Sequence, residues 1–206
     1  MEKKKNELLL IFTRNPELGK CKTRLAASIG DEAALEVYLQ LLKHTESITR
    51  NLSCTKEVYF SEDPERDDLW SEKLFSKKLQ QGQDLGERMC NAFKTGFQNA
   101  YQKIIIIGSD IYDLDTTTLQ EAFEKLENHD YVLGPAKDGG YYLIGMKRLN
   151  ESLFINKVWG TSSVLKNTLK DISNDKVFLL SERNDIDVYE DLKGVELFKP
   201  YLNKNS

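Results

Sequence analysis

Lys103-Ile104-Ile105-Ile106-Ile107-Gly108-Ser109-Asp110 holds four consecutive isoleucines that stop abruptly at a polar turn. A short run that is apolar at every position reads as a strand buried on both faces, and Gly-Ser-Asp at its carboxyl end reads as a turn. Glu7–Thr13 (ELLLIFT) repeats the pattern near the start and is the first strand. Two such strands predict a mostly parallel sheet covered by helices.

The segments between them supply those helices. Asp31–Arg50 sets Ala34, Val37, Tyr38, Leu41 and Leu42 at helical spacing, with Asp31 available as the N-cap. Lys56–Ser61 reads as a strand, and Asp63-Pro64 opens a polar, helix-prone stretch through Phe75. Asp84–Tyr101 is a helix with apolar positions at Leu85, Met89, Ala92, Phe93 and Phe97. Thr116, as a capping threonine, begins another that ends near Asn128. Asp130–Gly134 and Gly140–Lys147 are strands around a Lys137-Asp138-Gly139-Gly140 turn, Thr161–Lys170 is helical, and Lys176–Leu180 is the last strand. The expected fold is a single three-layer α/β/α domain over residues 1–206, with ligands beyond the carboxyl ends of its strands.

Composition bounds the function. The 206 residues are 40% hydrophobic and 30% charged, enough for a sizeable core, and the net charge of −4 argues against a nucleic-acid binder working through a basic face. Cys21, Cys54 and Cys90 lack metal-ligand spacing and fit a reducing compartment. No apolar run approaches the roughly 20 residues of a membrane-spanning helix, and the start has no secretory pattern, so the expected location is the cytoplasm. Lys3–Lys5 read as a solvated terminus ahead of a strand. His44 and His129 lack triad partners and read as structural.

Four constellations carry chemistry. Arg14-Asn15-Pro16-Glu17-Leu18-Gly19-Lys20-Cys21-Lys22-Thr23-Arg24 follows the first strand. There Gly19 lets backbone amides approach a ligand, and Arg14, Lys20, Lys22 and Arg24 can neutralise a diphosphate. A solvated surface turn is the plainer reading, but the carboxyl end of the first strand is where doubly wound folds bind nucleotides. Gly108-Ser109-Asp110 presents Asp110 as a ligand for Mg²⁺ or Mn²⁺, since hard cations take one or two carboxylates plus substrate phosphate oxygens; Asp113 and Asp115 look like helix caps. Asp185–Leu192 (DIDVYEDL) is an acidic helix entry that could bring a second carboxylate to that metal, although acidic residues also favour first helical turns. In Gly134–Tyr142 (GPAKDGGYY), Gly139 and Gly140 permit close backbone approach, and Asp138 could orient a hydroxyl or serve as base; a hairpin turn explains the same residues.

Taken in order, RNPELGKCKTRL, GSDIYDL, GPAKDGGYYLIG, the stretch around Trp159 and DIDVYEDL resemble the DUF2064 family of GT-A-like transferases. That family is described as glycosyltransferases associated with radical-SAM proteins and arsenosugar biosynthesis, and is related to MobA-like and phospholactate guanylyltransferase-like nucleotidyltransferases. The resemblance runs from about Leu8 to Leu192 and implies a nucleotide-diphospho-sugar transferase fold. It implies donor-phosphate contacts by Lys20, Lys22 and Arg24, metal binding by Asp110 in place of a full DxD, and a second metal-side carboxylate at Asp187. The chain lacks the glycine-rich LxAGGxGxRxG loop of the nucleotidyltransferases, and Ile111-Tyr112 replaces the Cys/Thr-Pro type of sequence that follows GSD in relatives.

The leading expectation is metal-dependent glycosyl transfer. Arg14, Gly19, Lys20, Lys22, Arg24, Ser109, Gly139 and Gly140 would hold a nucleotide-sugar donor, Asp110 and Asp187 the metal, and Lys22, Arg24 and Asp138 would act in catalysis on a small-molecule acceptor. Nucleotidyl transfer from a nucleoside triphosphate to a phosphorylated small molecule is the alternative. A non-catalytic nucleotide-binding module is a third.

Overall fold

In the computed structural model, residues 6–64 and 69–202 are described; Lys3–Lys5, and the part of the 63–75 stretch at 65–68, lie outside them. β1 (Glu7–Thr13) and β4 (Lys103–Ile107) take the bounds read from the sequence and pair in parallel, Leu8 with Ile104 through Ile11 with Ile107. β2 (Thr55–Phe60) and β3 (Ser76–Leu79) extend the sheet beside β1, while β6 (Tyr141–Met146), β5 (Tyr131–Pro135) and β7 (Val177–Leu179) extend it beside β4. The order is β3-β2-β1-β4-β6-β5-β7, parallel except for the antiparallel β6.

Alternation along the two central strands explains the three layers. Leu9, Ile11, Ile105 and Ile107 face one side, where Leu119, Ala122 and Phe123 of α4 (Thr116–Lys125) cover them. Leu8, Leu10, Ile104 and Ile106 face the other, against Met89, Ala92 and Phe93 of α3 (Leu85–Gln98) and, at the margin, Leu165 and Leu169 of α5 (Val164–Asp171). At roughly 25 cal/mol per Å² of apolar surface withdrawn from water, this two-sided burial is the main stabilising contribution. A further cluster joins α1 (Thr23–Ile29) and α2 (Asp31–Thr49) to Ile186, Leu192 and Phe198; the short α6 (Lys199–Leu202) closes the described chain.

Several local expectations are corrected. The helix expected from Asp63 to Phe75 is not found at residues 69–75, which form turns, and β3 follows. The polar β3 has an edge position and an exposed Leu79, so its sequence lacks the apolar alternation that marks a half-buried strand. Between the basic loop and α2 lies an unexpected short helix, α1, separated from α2 by Gly30 at φ 85. Gly30, not Asp31, is therefore the N-cap of α2. At α4 the capping role expected of Thr116 falls to Asp115, which the sequence also offered as a cap: Asp115 Oδ1 accepts from Thr118 N at 2.7 Å, while Thr116 Oγ1 donates to Ile48 O.

Among the described residues no helix is long and apolar enough to cross a membrane. Among the described residues no disulfide joins Cys21, Cys54 or Cys90. His44 Nε2 lies 2.8 Å from Leu114 O and His129 Nδ1 2.9 Å from Lys125 O, both structural contacts.

Packing makes Gly134 on β5 sensitive to substitution. A Cβ there would lie 2.4–2.7 Å from three ring carbons of buried Tyr142, whose hydroxyl is anchored to Ser181 O. Gly134→Ala is expected to lower the stability by about 1–3 kcal/mol, the usual cost of overpacking. A urea midpoint unchanged from wild type would show that the ring moves aside without cost.

Candidate functional site

The chain leaves β1 toward β2 on one side and returns through β4 on the other, so the carboxyl ends of β1 and β4 form a switch point at which a crevice opens. A cleft of about 860 Å³ lies there, floored by Phe12, Thr13, Ile106 and Ile107. The loops after β1, β4 and β5, together with Asp185 and Asp187, form much of its wall.

Most of the residues expected at the site converge there. Arg14, Lys20, Lys22, Arg24, Ser109, Asp110, Asp138, Gly140 and Asp187 all line the cleft. Gly19 and Gly139 do not. Gly19, at φ 72, faces Asp31; its left-handed backbone serves the turn. Gly139, at φ 89, packs so closely on the chain leading into α5 that a Cβ would fall 2.4 Å from Ser162 O, and its carbonyl accepts from Leu165 N. It fastens the turn to the body of the protein instead of facing a ligand.

At the charged centre, Lys22 Nζ lies 3.1 Å from Asp110 Oδ2, with its side chain 8% exposed. Burial works against the ammonium charge, but Asp110, with Asp187 and Asp185, outweighs it and holds the Lys22 pKa above its ordinary value. Lys22 has left-handed backbone at φ 49, a conformation that costs a non-glycine residue about 1–2 kcal/mol. Arg24 Nη1 lies 2.7 Å from Asp187 Oδ2, yet its side chain is 73% exposed. Lys20 bridges Glu17 and Glu62. The acidic segment is docked onto the β4 turn by the backbone itself, Ile186 N donating to Asp110 O at 3.0 Å.

Two expected polar groups also make contacts within the protein. Ser109 Oγ donates to Thr13 Oγ1, and Asp138 Oδ1 accepts from Gly140 N at 2.8 Å, as a turn requires. Asp185, singled out only as part of its acidic run, is brought against this centre by the fold. Burial first, then the carboxylates of Asp110 and Asp138, push its pKa up to about 6. Tyr38, read in the sequence as one of α2's apolar positions, also lines the cleft; its hydroxyl accepts from Arg14 N at 2.9 Å and lies 3.0 Å from Thr13 Oγ1. It holds the carboxyl end of β1 in place. A lone tyrosine in an apolar stripe carries no signal of that role.

Another part of the wall is aromatic. Tyr141 and Trp159 meet edge to face at 6.4 Å, and Gly86 at the start of α3 leaves room for the indole, since a Cβ there would lie 2.4 Å from Trp159 Nε1. Trp159 Nε1 and Tyr141 Oη are buried and make no hydrogen bond to a described residue.

Among the described residues no three His, Cys, Asp or Glu side chains are disposed to hold a metal ion. The two oxygen donors expected from the sequence, Asp110 and Asp187, are each already paired with a cation. This donor set fits Mg²⁺ or Mn²⁺ only as an ion that takes the rest of its coordination from substrate phosphates and water.

The raised pKa of Asp185 has a testable consequence. An unfolded aspartate titrates near 3.9, so folding favours the protonated form of Asp185; that contribution is present below pH ~4 and is lost as the pH rises through about 6. With chelator present, Asp185→Asn should gain on wild type by on the order of 1 kcal/mol between pH 4 and pH 7.5, after discounting for solvent screening. A stability difference that stays flat across that range would remove the carboxylate crowding.

Comparison with known proteins agrees with this architecture. A structure from Desulfovibrio desulfuricans G20, provisionally described as a nucleotide-diphospho-sugar transferase, is 27% identical with a TM-score of 0.86, covering 98% of this chain and 95% of its own. A cytidylyltransferase from Leptospira borgpetersenii serovar Hardjo-bovis (16% identity, TM-score 0.61, 91% and 83% covered) shares the fold. So does 4-diphosphocytidyl-2C-methyl-D-erythritol synthase from Anaerococcus prevotii DSM 20548 (9% identity, TM-score 0.63, 96% of both chains). No protein of curated function matches in sequence. Residues 41–161, over half of the chain, match the profile of the family described as an uncharacterized protein conserved in bacteria (DUF2064). With a three-layer fold of the nucleotide-diphospho-sugar transferase type and this match across its central region, the chain belongs to the DUF2064 family.

Proposed function

We propose that this protein is a metal-dependent glycosyltransferase of the cytoplasm that transfers a sugar from a nucleotide-diphospho-sugar to a small-molecule acceptor. The observation that carries the reading is the pairing, in one switch-point cleft, of a basic loop tied to carboxylates with a wall of Tyr141 and Trp159. Lys20, Lys22 and Arg24 suit the diphosphate, whose charge grows as the glycosidic bond breaks; preorganised cations stabilise such charge strongly where water is scarce. The aromatic wall suits the flat apolar face of a sugar or acceptor ring. Asp138 is the carboxylate we assign to the acceptor hydroxyl.

Asp110 and Asp187 would hold Mg²⁺ or Mn²⁺, which supplies Lewis-acid stabilisation to the leaving diphosphate when bound. The Desulfovibrio relative supports a nucleotide-sugar substrate by its description. The same basic loop would equally neutralise pyrophosphate, so nucleotidyl transfer is the second reading.

A screen of UDP-, GDP-, CMP- and ADP-sugars and the four nucleoside triphosphates, with and without Mg²⁺ or Mn²⁺, separates the two. A nucleotide-sugar present at 100 times its Kd should stabilise the native state by about 2.7 kcal/mol, in a metal-dependent manner. Asp110→Asn should abolish the metal dependence while keeping the fold. Pyrophosphate release from a triphosphate in the presence of acceptor would favour nucleotidyl transfer, tight binding without turnover would favour a non-catalytic module, and no binding would sink all three readings.

A further inference from the structure

We propose that Lys22 and a divalent cation are mutually exclusive occupants of the acidic centre. In the free protein Lys22 Nζ is the counter-ion of Asp110, and a metal ion enters as Lys22 transfers to the phosphates of the donor. The second half of this statement rests on the proposed function; the first rests on geometry alone. Of the three basic residues between Lys20 and Arg24, Lys22 is the one whose charge is buried: its side chain is 8% exposed, against 59% for Lys20 and 73% for Arg24. Arg24 can leave Asp187 for solvent at little cost, and Lys20 is engaged with Glu17 and Glu62. Lys22 cannot leave so freely.

Its placement is built from both sides. The left-handed backbone at φ 49, immediately before α1, sets where the Lys22 side chain leaves the main chain, and its ammonium meets Asp110 Oδ2 at 3.1 Å. The Ile186 N–H bond to Asp110 O brings Asp185 and Asp187 to the same ammonium. A divalent ion on Asp110 would share its carboxylate with this ammonium, and two cations so close in a partly dry site repel strongly. Phosphate oxygens relieve the conflict by accepting Lys22 and bridging to the metal. Metal alone should therefore bind weakly, and metal and donor should strengthen one another's binding by the same factor.

The test reads Mn²⁺ binding directly, from the electron paramagnetic resonance of the free ion, without nucleotide. Lys22→Met is expected to bind Mn²⁺ about tenfold more tightly than wild type, within the usual range of site–site coupling. Lys20→Met, which changes net charge equally without touching Asp110, should stay within about threefold of wild type, as screening of an exposed charge requires. Adding Asp110→Asn to Lys22→Met should erase the gain. Circular dichroism checks folding; if the methionine variant fails to fold, Lys22→Gln, which keeps a polar donor beside Asp110, replaces it. Lys22→Met binding no tighter than Lys20→Met, or a gain that survives Asp110→Asn, would overturn the proposal. Thermal shift of wild type with nucleotide-sugars, run in parallel, reports on the proposed function separately: a Mn²⁺ gain with no donor-induced shift sinks the donor reading and leaves the exclusion of metal by Lys22 standing.

Discussion

The parallel pairing of β1 with β4 is the contact from which the rest follows, because each strand is apolar on both faces and neither can be left exposed on either side. Satisfying them requires helices above and below, which α4 and α3 supply, and at this pair the order in which strands are added to the sheet reverses, β2 and β3 lying beyond β1 and the later strands beyond β4. That reversal leaves the carboxyl ends of β1 and β4 uncovered, side by side. The loop carrying Lys22 and the turn carrying Asp110 begin at those ends.

Once placed there, the two segments are held by polar contacts that the core itself does not supply. Tyr38 reaches from α2 to the end of β1, and the backbone bond from Ile186 to Asp110 docks the acidic segment on the β4 turn. The resulting centre is uneven in charge. Lys22 is drawn inward by several carboxylates, Arg24 remains near solvent, and Asp185 has its pKa raised first by burial and then by its carboxylate neighbours. Polar groups crowded in this way, with Asp185 and a left-handed lysine held at a local cost, support the ligand site proposed above.

The aromatic wall has a different origin. Trp159 follows the 3₁₀ turn at Glu151–Phe154 and settles on α3 only because Gly86 has no side chain, so one glycine on a helix decides the shape of part of a cleft formed by other elements. Tyr141 enters at the start of the antiparallel β6, whose amino end lies beside the carboxyl ends of its neighbours. Charged and aromatic surfaces thus meet across strands of opposite direction.

The sequence by itself determined the central strands, their burial on both faces, the long helices and the basic and acidic constellations, because these depend on local periodicity and on residue types that differ sharply from their surroundings. Glu7–Thr13 and Lys103–Ile107 were legible to the residue, and most candidate site residues meet in the cleft. The polar edge strand Ser76–Leu79, the insertion of α1, and the packing of Gly139 against the chain leading into α5 were not, since each depends on what lies across the chain. Only the tertiary structure decided that Lys22, and not Lys20 or Arg24, is buried against Asp110, and that Asp185 joins the same centre. In a sequence all three cations look alike, whereas burial and ion pairing are properties of contacts between residues tens of positions apart.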